Sequence, residues 1–162
     1  MRSRSSEPSS TDRARQYALK LLAARDYTSA GLRQKLRAKG FDEENLDSAV
    51  SRLENEGWIS DRRFAERFAE SAMASGRFYG GRLKLEMRRR GLDEDLTCEV
   101  IGRVTEGYDE DDEVRALIEK RYPGFSPSAT DDREKRRMLG FLQRRGFGFS
   151  AIMRAIKSGP NE

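Results

Sequence analysis

Basic side chains recur in this chain in three clusters, and their chemistry is that of anion binding. Arg33, Lys35, Arg37 and Lys39 stand together with no acid among them. From Arg77 to Arg90 there are six bases, Arg77, Arg82, Lys84, Arg88, Arg89 and Arg90, against Glu86 alone. From Arg133 to Arg145 there are again six, Arg133, Lys135, Arg136, Arg137, Arg144 and Arg145, against Glu134 alone. Phosphates or the carboxylates of an acidic protein are the partners such groups attract. For any single Lys or Arg the ordinary reading is a side chain facing water. Recurrence at the same place in three units favours a stripe of bases with fixed spacing.

The chemistry of catalysis is poorly supplied. The chain has no histidine, which removes His general bases, His-based triads and His metal ligands. Its single cysteine, Cys98, can build neither an internal disulfide nor a zinc site of the usual Cys/His kind. Asp95 and Glu99 flank that cysteine and disfavour its thiolate. Gly80-Gly81 lacks the Lys-Ser/Thr ending of a phosphate-binding loop and follows no strand. Glu66 and Glu70 stand four apart, the spacing of any solvated helix face. These features predict a binding protein and not an enzyme, with no cofactor and no metal.

The elements that carry the bases are written as a repeat. Leu32 to Phe41, Leu83 to Leu92 and Met138 to Phe147 share one grammar: apolar residues four apart, a run of bases, a glycine, then a large apolar residue. Self-similarity of this kind predicts stacked supersecondary units. Caps such as Thr28 or Ser29, Asp42, Ser60 or Asp61, Asp93 and Asp109 open helices, and Gly40 and Gly91 close them. No segment alternates as a strand would. The expected fold is all-α, an elongated tandem array of three three-helix repeats of helix-turn-helix type. Residues 1–12 form a mobile tail, 13–58, 59–107 and 108–158 the repeats, and 159–162 a second tail. Trp58 and Ile59 are expected to seal the first unit against the second.

The 162 residues are 36% hydrophobic and 37% charged, a thin core suited to units that each bury one face. The net charge is +4, and its distribution tells more than its size. No apolar stretch reaches the length of a membrane span, and the polar N-terminus is no secretory signal. A cytoplasmic monomer is expected.

A helix, a glycine turn and a helix also spell the DNA-reading motif. In that motif the start of the second helix meets base edges. Here those starts carry Asp42-Glu43-Glu44 and Asp93-Glu94-Asp95, which phosphates would repel, so capping and dipole stabilisation suit them better. Only Gly148-Phe149-Ser150 opens a helix without that penalty.

The run from Glu56 to Phe68, Glu-Gly-Trp-Ile-Ser-Asp-Arg-Arg-Phe-Ala-Glu-Arg-Phe, resembles the signature of the RecX family. Leu32 to Phe41 and Gly76 to Leu92 resemble that family's basic helices with their glycine turns. The likeness spans Arg13 to Lys157; the acids from Asp109 to Glu113 and Gly148 depart from it. The resemblance implies a regulator that lies along the groove of the RecA–single-stranded DNA filament. Such a protein inhibits ATP hydrolysis, strand exchange and co-protease activity, and so restrains recombination and the SOS response. Under that reading Arg33, Lys35, Arg37, Arg82, Lys84, Arg88, Arg89, Arg144 and Arg145 meet recombinase or DNA, single- or double-stranded, with Tyr79 as an aromatic contact. The alternatives are a general sequence-independent nucleic-acid-binding protein and a purely structural adaptor.

Overall fold

A computed structural model describes residues 9–159. Nine α-helices and no strand occur among the described residues. They are α1 (Ser10–Ala24), α2 (Ser29–Lys39), α3 (Glu43–Asn55), α4 (Asp61–Ala74), α5 (Gly80–Arg89), α6 (Glu94–Val104), α7 (Glu110–Arg121), α8 (Asp132–Arg145) and α9 (Phe149–Ser158). Helices pack in threes, α1–α3, α4–α6 and α7–α9, and each set owns a core.

Local chemistry sets the helix starts. Thr28, Asp42, Ser60, Asp93, Asp109 and Asp131 each turn a side-chain oxygen back to a backbone N–H of the first turn. Each bond satisfies a donor that the helix leaves orphaned. The first helix begins earlier than expected, at Ser10, because Ser9 accepts from the Asp12 amide at 3.1 Å. The part of the expected tail at residues 9–12 is therefore ordered, and residues 1–8 lie outside the described residues. Of the expected second tail, Gly159 is buried, with Pro127 beside it, and residues 160–162 lie outside.

The repeated glycine has one structural meaning. Gly40, Gly91 and Gly146 hold φ of 101°, 79° and 103°, a region that a Cβ disfavours. Each lets the next residue donate back to the helix: Phe41 to Leu36 at 3.2 Å, Leu92 to Met87 at 3.3 Å, Phe147 to Leu142 at 3.3 Å. This six-to-one closure brings an apolar side chain against the core behind it, which is why a large apolar residue follows each glycine. Leu92 and Phe147 are buried and Phe41 is half-buried.

The unit cores are small and aliphatic. Leu32, Leu36, Leu46 and Leu53 are fully buried in the first. Each such side chain contributes about 1.5–3 kcal/mol by leaving water. The expected seal after the first unit is half right. Ile59 is 4% exposed, whereas Trp58 is 57% exposed. Backbone bonds from both residues to the Leu53 carbonyl wrap the helix end and bury only Ile59.

Candidate polyanion-binding surface

The second helices of the three units meet end to end. At the first joint, the Thr28 hydroxyl that caps α2 donates to the Arg90 carbonyl at the end of α5, at 2.6 Å. Asp61 clamps the same corner, accepting from the Ser29 amide and hydroxyl at 2.7 Å each. At the second joint, the Tyr79 amide just before α5 donates to the Arg145 carbonyl at the end of α8, at 2.7 Å. Each joint supplies a donor to a terminal carbonyl that its own helix leaves free. The positive end of one helix faces the negative end of the next, which is the favourable order of helix dipoles. The sequence of contacts is thus α8 to α5 to α2.

Close backbone approach makes both joints specific. A Cβ on Gly91 would lie 2.4 Å from the Ala30 Cβ, and one on Gly146 would lie 2.0 Å from the Tyr79 carbonyl oxygen. Arg145 spans the second joint, its guanidinium donating to the Gly76 carbonyl while lying over the Phe141 ring.

Tyr79 does not present its ring to a partner. It is 3% exposed, belongs to the core of the third unit, and packs on Phe147 with centroids 4.2 Å apart. Its hydroxyl donates to the Met73 carbonyl at 3.1 Å, and burial, with Glu113 nearby, pushes its pKa up to about 12. The expected aromatic contact is corrected to an internal plug between the second and third units. Its burial follows from its place at the α5 start, where the chain crosses from one unit onto the next.

The expected bases divide into two groups. On α2, Arg33 pairs with Asp47 at 2.9 Å, and Arg37 takes both oxygens of Glu43, one at 2.8 Å. On α5, Arg82, Arg89 and Arg90 converge on Glu86, at 2.8, 3.1 and 3.0 Å. Lys84 and Arg88 converge on Glu94, Arg88 at 3.3 Å. Glu43 and Glu94 therefore do more than cap: each neutralises the helix before its own. Hydrogen bonds from these cations hold the Glu43, Glu86 and Glu94 carboxyls below the usual carboxylate range. Lys35 is exposed and has no carboxylate within ion-pair distance among the described residues.

The third unit is different. No base of α8 pairs with a carboxylate among the described residues. Arg133, Arg136, Arg137 and Arg144 are exposed. Arg145 is half-buried in the joint and is less available than its neighbour. The acids that depart from the family pattern are engaged elsewhere. Asp109 caps α7, Asp111 holds Arg154 through two bonds of 2.7 Å, and Glu110 accepts from the Gly148 amide at 2.6 Å. Gly148 has no side chain with which to cap α9, and Glu110 ties down the Gly148 amide just before that helix.

Sequence reasoning bet on Arg144 and Arg145 and passed over Arg133, Arg136 and Arg137. The available signal was helical period, since 133, 136, 137, 140 and 144 share one face. Phe149, 58% exposed, stands in the helix start that the sequence leaves free of acids, yet it is not among the expected contacts. Cys98 is exposed, with its sulfur 3.8 Å from a Glu94 oxygen. No three His, Cys, Asp or Glu side chains gather in a metal-holding group among the described residues. No helix among them is long and apolar enough to cross a membrane.

Known proteins share this fold. Residues 14–53 match the model of the RecX first three-helix domain, and residues 109–156 that of the RecX third three-helix domain. The regulatory protein RecX of Trichlorobacter lovleyi is 47% identical over 130 residues, covering 80% of this chain and 84% of that one. The regulatory protein RecX of Syntrophotalea carbinolica is 34% identical over 136 residues, covering 84% and 88%. The crystal structure of RecX from Lactobacillus salivarius has the same fold, with a TM-score of 0.70 at 18% identity over 92% of this chain and 96% of that one. Two domain matches in chain order, and relatives that align over most of their length, settle the kinship: the chain belongs to the RecX family of regulatory proteins.

Proposed function

We propose that this protein binds the filament of a RecA-type recombinase on single-stranded DNA and restrains its ATP hydrolysis, strand exchange and co-protease activity. Recombination, DNA repair and the SOS response are the processes it would modulate, as a cytoplasmic monomer without cofactor. The observation that carries the reading is the end-to-end seating of α8, α5 and α2. Three basic helices held in series by backbone joints make one track with a fixed repeat. A filament presents its own fixed repeat of acidic protein and DNA phosphate. Contacts that are weak singly add up through effective concentration when both partners are periodic.

A protein seated across neighbouring protomers opposes the rearrangement between them that hydrolysis and exchange require. It binds one arrangement of the filament better than the other and shifts the population towards it. The bases of α5, with Arg33 and Arg37 of α2, are already paired internally, so they act as polarised partners and not as bare charges. Lys35 and Lys39 on α2 and Arg133, Arg136, Arg137 and Arg144 on α8 have no carboxylate partner among the described residues.

Co-sedimentation tests the reading. Recombinase filaments formed on long single-stranded DNA are pelleted with the protein present. Enrichment in the pellet above that seen with DNA alone is the expected result. Equal pelleting with naked DNA would favour the general nucleic-acid-binding alternative. No pelleting with either would remove both.

A further inference from the structure

We infer that the third unit is the nucleic-acid contact, with the solvent face of α8 tracking the phosphates of a single strand and Phe149 stacking on one of its bases. This goes beyond filament binding by naming which unit touches DNA, and it borrows from that reading only the identity of the strand.

The molecule contains its own controls. Three equivalent helices carry bases, and they differ in built-in acids: Glu86 and Glu94 hold five bases at α5, Asp47 and Glu43 hold two of the four on α2, and α8 has no such pair among the described residues. The corresponding start of α9 has no acid of its own, Glu110 of α7 reaches only the Gly148 amide there, and no carboxylate within ion-pair reach holds a base of α8 among the described residues. Arg133, Arg136, Arg137 and Arg144 fall on one arc of the helix, opposite the buried Met138 and Leu142. Gly140 lies within that arc, and Arg144 folds over it, its Nη1 only 3.1 Å from where a Cβ would stand. A stripe running from Arg133 to Arg144 is about 16 Å long, enough to span several successive phosphates of a strand. The acids of α8 itself, Asp132 and Glu134, stand in its first turn, where they complement the dipole, and off this arc.

Like charges held side by side without counter-charge repel, so the stripe gains most from an outside anion. Arginine suits phosphate through its paired donors. An acidic protein face would meet the same charge, but it gives no reason for an exposed aromatic ring at the start of the next helix. Phe149 stands five residues past Arg144, beyond the tight turn at Gly146, with more than half its surface in water. Bases next to an aromatic platform are the ordinary equipment for unpaired nucleotides. A duplex keeps its bases stacked and offers that ring nothing.

The test uses the full chain, a fluorescein-labelled oligothymidylate and no recombinase, with anisotropy read across a salt series. Arg136→Gln with Arg137→Gln is expected to weaken binding about tenfold near physiological salt and to lower the salt slope by about 1.4, two phosphate contacts' worth. Phe149→Ala is expected to weaken binding about tenfold with the slope unchanged. Lys20→Gln on α1 and Lys120→Gln on α7, exposed bases outside the three basic helices, are expected to change affinity less than twofold. Circular dichroism confirms that each variant is folded, and all the positions changed are exposed. Three results would overturn the proposal: no binding by the wild-type protein, equal losses from the α1 and α7 variants, or an equally tight duplex complex indifferent to Phe149→Ala. Loss of filament binding by the α8 variants with DNA binding unchanged would assign the face to protein instead, which also overturns it. Because no recombinase is present, failure here leaves the filament reading standing, and failure of that reading leaves this one.

Discussion

Glu86 shows how one side chain can decide whether a basic helix is tolerable. It is 8% exposed and holds three arginines from its own helix, one of which, Arg90, also donates to the Glu86 carbonyl at 2.7 Å. Replacing it by Gln leaves three neighbouring guanidinium groups without a counter-charge. Glu86→Gln is expected to lose about 1–2 kcal/mol near neutral pH by urea unfolding, a modest figure because the arginines are partly solvated. The sign with pH follows from linkage. Glu86 is held below its ordinary pKa, so its contribution is complete above the unfolded value and fades as pH falls through the lowered folded one. The difference between wild type and variant should therefore close in acid, once pH is below the lowered folded value. A difference that persists there would show packing, not charge, at work. Tyr79 is the second residue with a sharp expectation. Tyr79→Phe removes one hydrogen bond and should cost about 1 kcal/mol. Tyr79→Ala opens the third core and should cost about 3–5 kcal/mol. Filament binding by Tyr79→Phe should match the wild type, since the ring is buried; a specific loss of binding would return it to the partner surface.

At the scale of elements, glycine separates a helix ending from a joint. Gly40 and Gly146 have nearly the same backbone, φ 101° and 103°, yet different surroundings. Nothing stands within 4 Å of a Cβ on Gly40, while one on Gly146 would meet the Tyr79 carbonyl. Gly40→Ala should cost about 1 kcal/mol, the strain of a left-handed alanine alone. Gly146→Ala should cost at least about 2–3 kcal/mol, because the joint must open as well. Equal losses in thermal or urea unfolding would show that the joint contributes nothing. The endings themselves were legible in the sequence, since a run of bases, a glycine and an apolar residue is a local code for the closure seen at all three sites. The joints were not, because they pair residues 62 apart, Thr28 with Arg90, and 66 apart, Tyr79 with Arg145. Nothing local marks Thr28 as a bridge, and an aromatic before a glycine pair reads equally well as a surface contact. Trp58 was misread for a related reason: the preference of large aromatics for joints is an average, and here the smaller Ile59 fills the space. The ion pairs were half visible. The acids that open α3 and α6 were read as caps, and only the fold shows Glu43 and Glu94 turned back onto the helix before.

At the scale of the molecule, the three repeats share an architecture and divide its use. The first two unite base and acid within themselves, as Arg37 with Glu43 and Lys84 with Glu94, and the third leaves its α8 arginines exposed. The net charge of +4 is therefore a poor guide to the surface, because many bases are paired on α5 and none is paired with a carboxylate on α8 among the described residues. Electrostatic attraction of a bare helix speeds encounter and weakens with salt, whereas the paired bases of the first two units are less sensitive to it. The most direct test of filament regulation is the single-stranded-DNA-dependent ATPase of a RecA-type recombinase, titrated with this protein at saturating DNA. Inhibition at fewer molecules of this protein than recombinase protomers is the predicted result, since one seated track restrains several protomers. Undiminished hydrolysis at equimolar protein would contradict it.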